Sequence, residues 1–158
     1  MKNDLSAEQL QQLVTVTLPL GVVLRITSNG ERPVAAPASF AGLPAIGAEF
    51  QGGIYAGPSL DNERSVALVL LPGDAEDLTW EQAKAWAAEK EGSLPSRIDQ
   101  LVLFKNLKSE FKEAAYWSCT PDAGDEAYAW CQGFGSGLQG TSHKTNTLRA
   151  RAVRRIAI

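Results

Sequence analysis

Residues 79–97 read TWEQAKAWAAEKEGSLPSR and carry the clearest structural signals of the chain. Thr79 is typical of a helix N-cap, and Gln82 three residues later completes a capping box. One helical face would then be apolar, formed by Trp80, Ala83, Trp86 and Ala87. Gly92 can end the helix, because glycine adopts the left-handed conformation at little cost. The stretch predicts a short amphipathic helix packed on a core.

A second helix is predicted directly after the first. Ser96 is its candidate N-cap, with Asp99 in the first turn, and Ile98, Leu101 and Val102 follow a period near 3.6 residues. Apolar and aromatic segments before and after the two helices predict strands at residues 65–71, 116–120, 127–134 and 148–158. A segment rich in Gly, Ser and Thr, residues 135–146, separates the last two. This order of elements is an α+β pattern.

The first 48 residues differ from the rest in composition. They predict a short helix at residues 4–12, strands at residues 14–18 and 22–27, and a turn at residues 28–30. Residues 32–47 are rich in Pro, Ala and Gly and indicate an extended linker. We therefore expect an N-terminal β-containing arm and linker, residues 1–48, which mediates attachment or oligomerisation. A compact domain, residues 49–158, would follow it.

Bulk composition excludes several classes of protein. The chain has 158 residues, 21% of them charged, and a net charge of −3, whereas a dedicated nucleic-acid binder normally has a strongly basic face. No stretch reaches the ~20 consecutive apolar residues that cross a bilayer, so no membrane insertion is expected. The N-terminus lacks the pattern of a secretory signal, which predicts synthesis in the cytoplasm.

The two cysteines, Cys119 and Cys131, are too few for a disulfide framework. They would lie opposite each other if their strands formed a hairpin centred on Asp125. They could then form one disulfide or pack as small apolar residues, and a cytoplasmic protein would keep them reduced.

The segments described so far resemble the C-terminal domain family of the Legionella collagen-like adhesin, which occurs in bacterial and phage proteins. The resemblance covers about residues 50–156 and consists of a tryptophan-led helix, a Gly-x-Leu-Pro-x-Arg turn and three characteristic strands. The residues that carry it are Trp80, Trp86, Leu94, Pro95, Arg97, Trp117, Trp130, Arg151 and Arg154.

The resemblance implies a C-type-lectin-like domain with two short helices and a mainly antiparallel sheet. Sugar-binding C-type lectins hold calcium with a Glu-Pro-Asn or Gln-Pro-Asp loop and a Trp-Asn-Asp strand, and neither motif occurs in this sequence. No metal and no cofactor are therefore predicted. Relatives of this compact size resemble phage virion components, which implies the same role here.

The tryptophans and arginines of this set are interpreted mainly as structural. The tryptophans are expected in the core, and Arg97, Arg151 and Arg154 are expected to join loops through carboxylates and backbone carbonyls. The contact surface would be the loops at residues 121–127 and 135–147. Its candidate binding residues are Asp122, Asp125, Tyr128, Gln139, His143, Lys144 and Asn146.

No catalytic residue is assigned. His143 is the single histidine, and no acid or nucleophile can be placed beside it from the sequence. The formylglycine-generating enzymes share the broader fold and use cysteines on a metal, but two cysteines that face each other across a hairpin are more often structural.

We expect a non-enzymatic phage virion protein, tail or tail-fibre associated, with a structural or receptor-contacting role. It would form homo-oligomers, be made in the host cytoplasm and be incorporated in the particle. Its partners would be other virion proteins or a host surface receptor, including surface glycans. The alternative is a small inhibitor or regulatory protein that binds one intracellular complex, such as a bacterial defence system. The sequence does not separate these two hypotheses.

Overall fold

The computed structural model describes residues 14–17, 23–26 and 42–158. The chain divides into two compact units, Met1–Phe40 and Ala41–Ile158. In the first unit, β1 (Val14–Thr17) and β2 (Val23–Ile26) pair antiparallel, which confirms the two predicted strands. The predicted helix at residues 4–12, the turn at residues 28–30 and the linker up to residue 41 lie outside the described residues.

The second unit is α+β, with two helices and two mostly antiparallel sheets. The four-stranded sheet has the order β11-β5-β4-β3 and consists of β3 (Glu49–Phe50), β4 (Gly53–Asp61), β5 (Arg64–Leu70) and β11 (Val153–Ala157). The five-stranded sheet has the order β6-β10-β7-β8-β9 and consists of β6 (Ala75–Leu78), β7 (Ala115–Pro121), β8 (Tyr128–Gly133), β9 (Gln139–His143) and β10 (Leu148–Ala150). Only β10 and β7 pair in parallel among the described strands.

The two helices are α1 (Trp80–Glu89) and α2 (Arg97–Leu107), and a 3₁₀ turn at Lys108–Glu110 follows α2. Both helices begin with a full capping box, in which the cap side chain accepts from the third helical N–H and the third side chain accepts from the cap N–H. The predicted N-caps of both helices are confirmed. Helix α1 ends before Gly92, and the left-handed residue that follows it is Glu91 rather than the glycine.

Helix α2 does not bury the face on which its regularly spaced apolar residues were predicted to pack. Ile98 and Leu101 are 47% and 53% exposed, whereas Asp99 and Gln100 are fully buried. Asp99 is tolerated inside because its carboxylate accepts from Ser59 and Arg155. Gln100 donates to the Tyr116 carbonyl, while its own amide oxygen has no partner among the described residues. Aliphatic surface is left on the outside of the helix as a consequence.

Two predicted C-terminal features differ in the structure. The single strand predicted at residues 148–158 is two strands in different sheets, because the chain leaves β7 at Arg151 and joins β5 from Val153 onwards. The predicted loop at residues 135–147 contains β9, which pairs with β8 from Tyr128 opposite His143 to Gln132 opposite Gln139. Short polar strands of this kind give little sequence signal, because neither face alternates clearly between apolar and polar residues.

Three of the four tryptophans lie in or against the core as expected, whereas Trp130 is half-buried outside it, under Arg97. Trp117 is fully buried and Trp80 is 6% exposed, and their indole N–H groups donate to the carbonyls of Leu78 and Ser118, at 2.8 and 2.7 Å respectively. Trp86 is half-buried and packs on the same cluster. These hydrogen bonds satisfy the one polar group that each indole brings inside.

The cysteine register differs from the symmetric hairpin. Cys131 pairs with Trp117 rather than with Cys119, and a register shift separates this pair from the next one, Pro121 with Ala129. Both cysteines are half-buried free thiols. Between these two pairs β7 advances four residues and β8 only two, so counting outward from the loop centre gives the wrong partner.

Candidate functional site

Most of the predicted binding residues gather at one end of strands β8 and β9. We call this surface the loop end and define it by Asp122, Asp125, Tyr128, His143, Lys144 and Asn146. Gln139 lies at the opposite end of β9, where it pairs with Gln132. From Tyr128 to Gln132 the strand advances four steps, a distance of about 13 Å.

An aromatic pair lies at the centre of the loop end. The rings of Tyr128 and His143 meet edge to face, with centroids 5.2 Å apart and an interplanar angle of 81°. Both side chains are half-buried. His143 Nδ1 also lies 2.7 Å from the Thr145 hydroxyl, which fixes the ring from the other side. The pair therefore presents a fixed aromatic edge to solvent.

The loop between β7 and β8 is held by its own hydrogen bonds. The Ala127 N–H donates to the Asp125 carboxylate at 2.9 Å, and the Tyr128 N–H donates to the Asp125 carbonyl at 3.0 Å. The Asp122 N–H donates to the Tyr128 carbonyl at 3.0 Å. Asp125 thus acts mainly as a turn residue, while the Asp122 carboxylate accepts no hydrogen bond from the described residues.

Lys144 ties this loop to the neighbouring one and to helix α1. Its ammonium group donates to the Glu126 carbonyl at 2.6 Å and lies 4.5 Å from the centre of the Trp80 ring. The backbone carbonyl of Lys144 accepts from the backbone N–H of Trp80 at 3.1 Å. Asn146 donates to the Ser142 hydroxyl at 3.1 Å. The loop end is therefore a pre-ordered surface that combines an aromatic edge, carboxylates, an amide and a partly buried cation.

A second concave surface lies near the other end of β8 and β9. We call it the Arg97 groove; it is an open groove of about 480 Å³ between the β4–β5 turn and the first turn of α2. Its lining residues are Leu60, Asp61, Asn62, Ser96, Arg97, Ile98, Leu101, Thr120 and Gln139. No sequence pattern predicted this groove, and its available signal was the pair of apolar α2 residues that turn out to be exposed, Ile98 and Leu101.

The arginines that the sequence analysis singled out have different surroundings. Arg151 is almost buried and donates to the Glu110 carbonyl at 2.5 Å, and its burial lowers the pKa of its guanidinium. Arg154 donates to the carbonyls of Gln51 and Glu91. Arg97 instead stacks on Trp130, with its guanidinium carbon 3.4 Å from the ring centre.

Arg149 and Arg155, which no sequence pattern marked, form ion pairs, as do Arg154 with Glu91 and Lys84 with Glu81. Arg149 binds Asp74 with two nitrogens and Glu76 with a third, and these hydrogen bonds, first of all that to Asp74, raise the pKa of its guanidinium. Arg155 binds the buried carboxylate of Asp99. No local pattern marks these arginines, because their partners are distant in the sequence.

Within the described residues, no three His, Cys, Asp or Glu side chains lie together as a metal site would need. The helices of this part of the chain are all too short or too polar to cross a membrane. No protein-family model matches the sequence, and a search of curated proteins gives no match.

Proposed function

We propose that this chain is a non-enzymatic phage virion protein, tail or tail-fibre associated, with a C-type-lectin-like domain that contacts other proteins or surface glycans. The resemblance in the sequence supports the family. The α+β order of the described elements is compatible with it, since the tryptophan-led helix, the Gly92–Arg97 turn and the later strands follow in the expected sequence.

The observation that carries the proposal is the pre-ordered loop end. Its loops are fixed by hydrogen bonds that do not depend on a partner, so binding would cost little conformational entropy. The Tyr128–His143 edge offers apolar contact, and Asp122 and Asn146 offer polar contact beside it. Surfaces of this composition, displayed on loops of a rigid sheet, suit protein and glycan recognition.

The N-terminal arm is proposed to attach the domain to the particle and to form homo-oligomers. Strands that find no further partner within their own unit tend to pair with those of a neighbour. In the first unit the described hairpin consists of two strands only, and an isolated two-stranded hairpin has little stability in water.

The test compares particle association of the parent protein with that of a Tyr128→Ala, His143→Ala double variant. We expect the double variant to fold but to lose receptor or virion contact, while Lys105→Ala, an exposed position on α2, retains it. Sedimentation of tagged protein from its native lysate, with mass spectrometry of what co-sediments, is the measurement. Recovery in many copies with particles supports the virion proposal. Recovery in fixed ratio with one intracellular complex would instead support the inhibitor hypothesis.

A further inference from the structure

Arg97 is a fixed arginine with an unused binding edge. Its guanidinium lies over the Trp130 ring, and its Nε donates to Gln139 Oε1 at 3.2 Å. Its two terminal nitrogens donate to no acceptor among the described residues, and no carboxylate there lies within 4.0 Å of them. The side chain is therefore held in place while most of its donors remain available.

A relay of glutamine side chains connects this arrangement to the core. Gln139 donates to the Arg97 carbonyl at 2.8 Å and to Gln132 Oε1 at 2.9 Å. Gln132 in turn donates to the Gln100 carbonyl at 3.3 Å, and Gln100 donates to the Tyr116 carbonyl at 3.0 Å. Gln132 and Gln100 are fully buried. The position of Arg97 is thus set by residues that cannot move freely.

The other arginines held in the compact unit are used differently. Four of them place at least one terminal nitrogen on an acceptor of the protein: Arg149, Arg151, Arg154 and Arg155. The fifth, Arg64, is exposed, and its side chain makes no hydrogen bond with the described residues. Those four join elements together. Arg97 is held only through Nε and the ring stack, which leaves its terminal nitrogens free to bind a ligand.

Three aliphatic side chains line the groove beside Arg97. Leu60, Ile98 and Leu101 line it and are each about half exposed, at 47%, 47% and 53%. Its volume of about 480 Å³ falls in the range of small-ligand and peptide-side-chain pockets. Exposed aliphatic side chains clustered around a positioned cation favour a ligand that has both apolar and anionic parts.

We propose that the Arg97 groove binds a short peptide segment of a partner protein in which an acidic side chain is flanked by aliphatic residues. The carboxylate would accept from the two terminal nitrogens of Arg97, since the planar guanidinium matches a carboxylate bidentately. The flanking aliphatic residues would pack on Leu60, Ile98 and Leu101.

Two features favour this ligand over a sugar or a polyanion. The Trp130 face that could stack on a sugar ring is already covered by Arg97. Asp61 also lines the groove and would repel a ligand with several negative charges. A single carboxylate between aliphatic groups matches the charge and the apolar lining together.

This site is separate from the loop end, so the two proposals can fail independently. The test is a titration of the nitrogen-15-labelled full chain with the capped peptide acetyl-Gly-Leu-Asp-Leu-Gly-amide, followed by NMR. The matched probe replaces the peptide's aspartate by asparagine. We expect saturable chemical-shift changes at residues 96–101 and 139. The asparagine peptide should bind with a dissociation constant that is higher by about tenfold or more.

Three variants test the assignment. Arg97→Gln should weaken the aspartate peptide to the level of the asparagine peptide, and Leu101→Ser, at an exposed position, should weaken both peptides. Lys105→Gln, which removes a positive charge elsewhere on α2, should leave both unchanged. Equal binding of the two peptides, shifts confined to other surfaces, or no saturable shift would overturn the proposal.

Discussion

At the scale of single residues, the domain depends on a buried ion pair. The Asp99 carboxylate is fully buried and accepts from the Ser59 hydroxyl at 2.5 Å, from the Ser96 N–H at 2.8 Å and from two nitrogens of Arg155. Arg155 also donates to Ser93 and to the Leu94 carbonyl. One carboxylate therefore joins β4, the first turn of α2 and β11.

Replacing this carboxylate should be costly. Asp99→Asn leaves Arg155, whose side chain is 16% exposed, without its counter-charge, and we expect a loss of about 3–5 kcal/mol in the free energy of unfolding. Urea unfolding measures it. The control is Glu81→Gln, which breaks the exposed Lys84–Glu81 pair and should change stability by less than about 0.5 kcal/mol. A similar small change for Asp99→Asn would show that the buried pair is not needed.

The cysteines give a pH-dependent prediction. Burial raises the pKa of both the Cys119 and the Cys131 thiol, and for Cys119 the nearby Arg155 opposes this only in part. A raised pKa means less thiolate near pH 8, so alkylation by iodoacetamide should be slower in the folded protein than in guanidinium. Because the thiol pKa is higher in the folded state, the unfolded state loses its thiol protons first as the pH rises. The stability that the protonated thiols contribute is therefore complete below the pKa of the unfolded state, and it is lost as the pH rises through the pKa of the folded state. Equal alkylation rates in the two states would contradict the burial.

At the scale of elements, the pairing of β4 with β5 depends on a glycine. A Cβ atom at Gly53 would lie 2.3 Å from the Leu70 carbonyl oxygen and 2.8 Å from a Val69 methyl group. Leu70 belongs to the strand that also pairs with β11, so it cannot shift without disturbing both neighbours. The close approach is possible only because glycine has no side chain.

Gly53→Ala should therefore destabilise the domain by about 1–3 kcal/mol, as overpacking of a fixed site does. The matched control is Gly140→Ala, also within a strand, where a Cβ would meet no atom within 4 Å. Alanine there should be neutral or slightly stabilising. Thermal unfolding of both variants is the measurement. Equal midpoints would show that β4 can move away from Leu70.

At the scale of the whole molecule, the compact unit begins before β3, the first strand of its four-stranded sheet. The Gly47 N–H donates to the Tyr55 carbonyl at 2.8 Å, and the Tyr55 N–H donates to the Ala48 carbonyl at 2.9 Å. Residues 42–48 thus add backbone hydrogen bonds to β4. Tyr55 itself is 4% exposed, so these bonds lie at a buried position.

Two fragments test where the unit begins. We expect residues 42–158 expressed alone to unfold cooperatively, because both sheets and both helices lie within them. Removal of seven more residues, to give 49–158, should lower the free energy of unfolding by about 1–3 kcal/mol, since two backbone hydrogen bonds at a buried strand are lost. Urea unfolding compares the fragments. Equal stability would place the boundary at residue 49, where composition puts it.

Much of the element pattern could be predicted from the sequence, because it depends on neighbours within a few residues. The capping boxes of α1 and α2 are examples: cap and partner are three residues apart, and their hydrogen bonds form within one turn. The strand positions around Trp117 and Trp130 follow in the same way from local composition. Six of the seven candidate binding residues also share one end, because a hairpin brings its two outer loops together.

The tertiary structure alone decided which faces are buried and which side chains meet. Helix α2 buries Asp99 and Gln100 because Arg155, 56 residues away, and Tyr116, 16 residues away, supply their partners. The bulge in β7 moved Cys131 opposite Trp117, and Arg97 met Gln139 from 42 residues away. Such pairings depend on how whole elements pack, and the free energy of that packing is a property of the assembled core rather than of any local segment of the sequence.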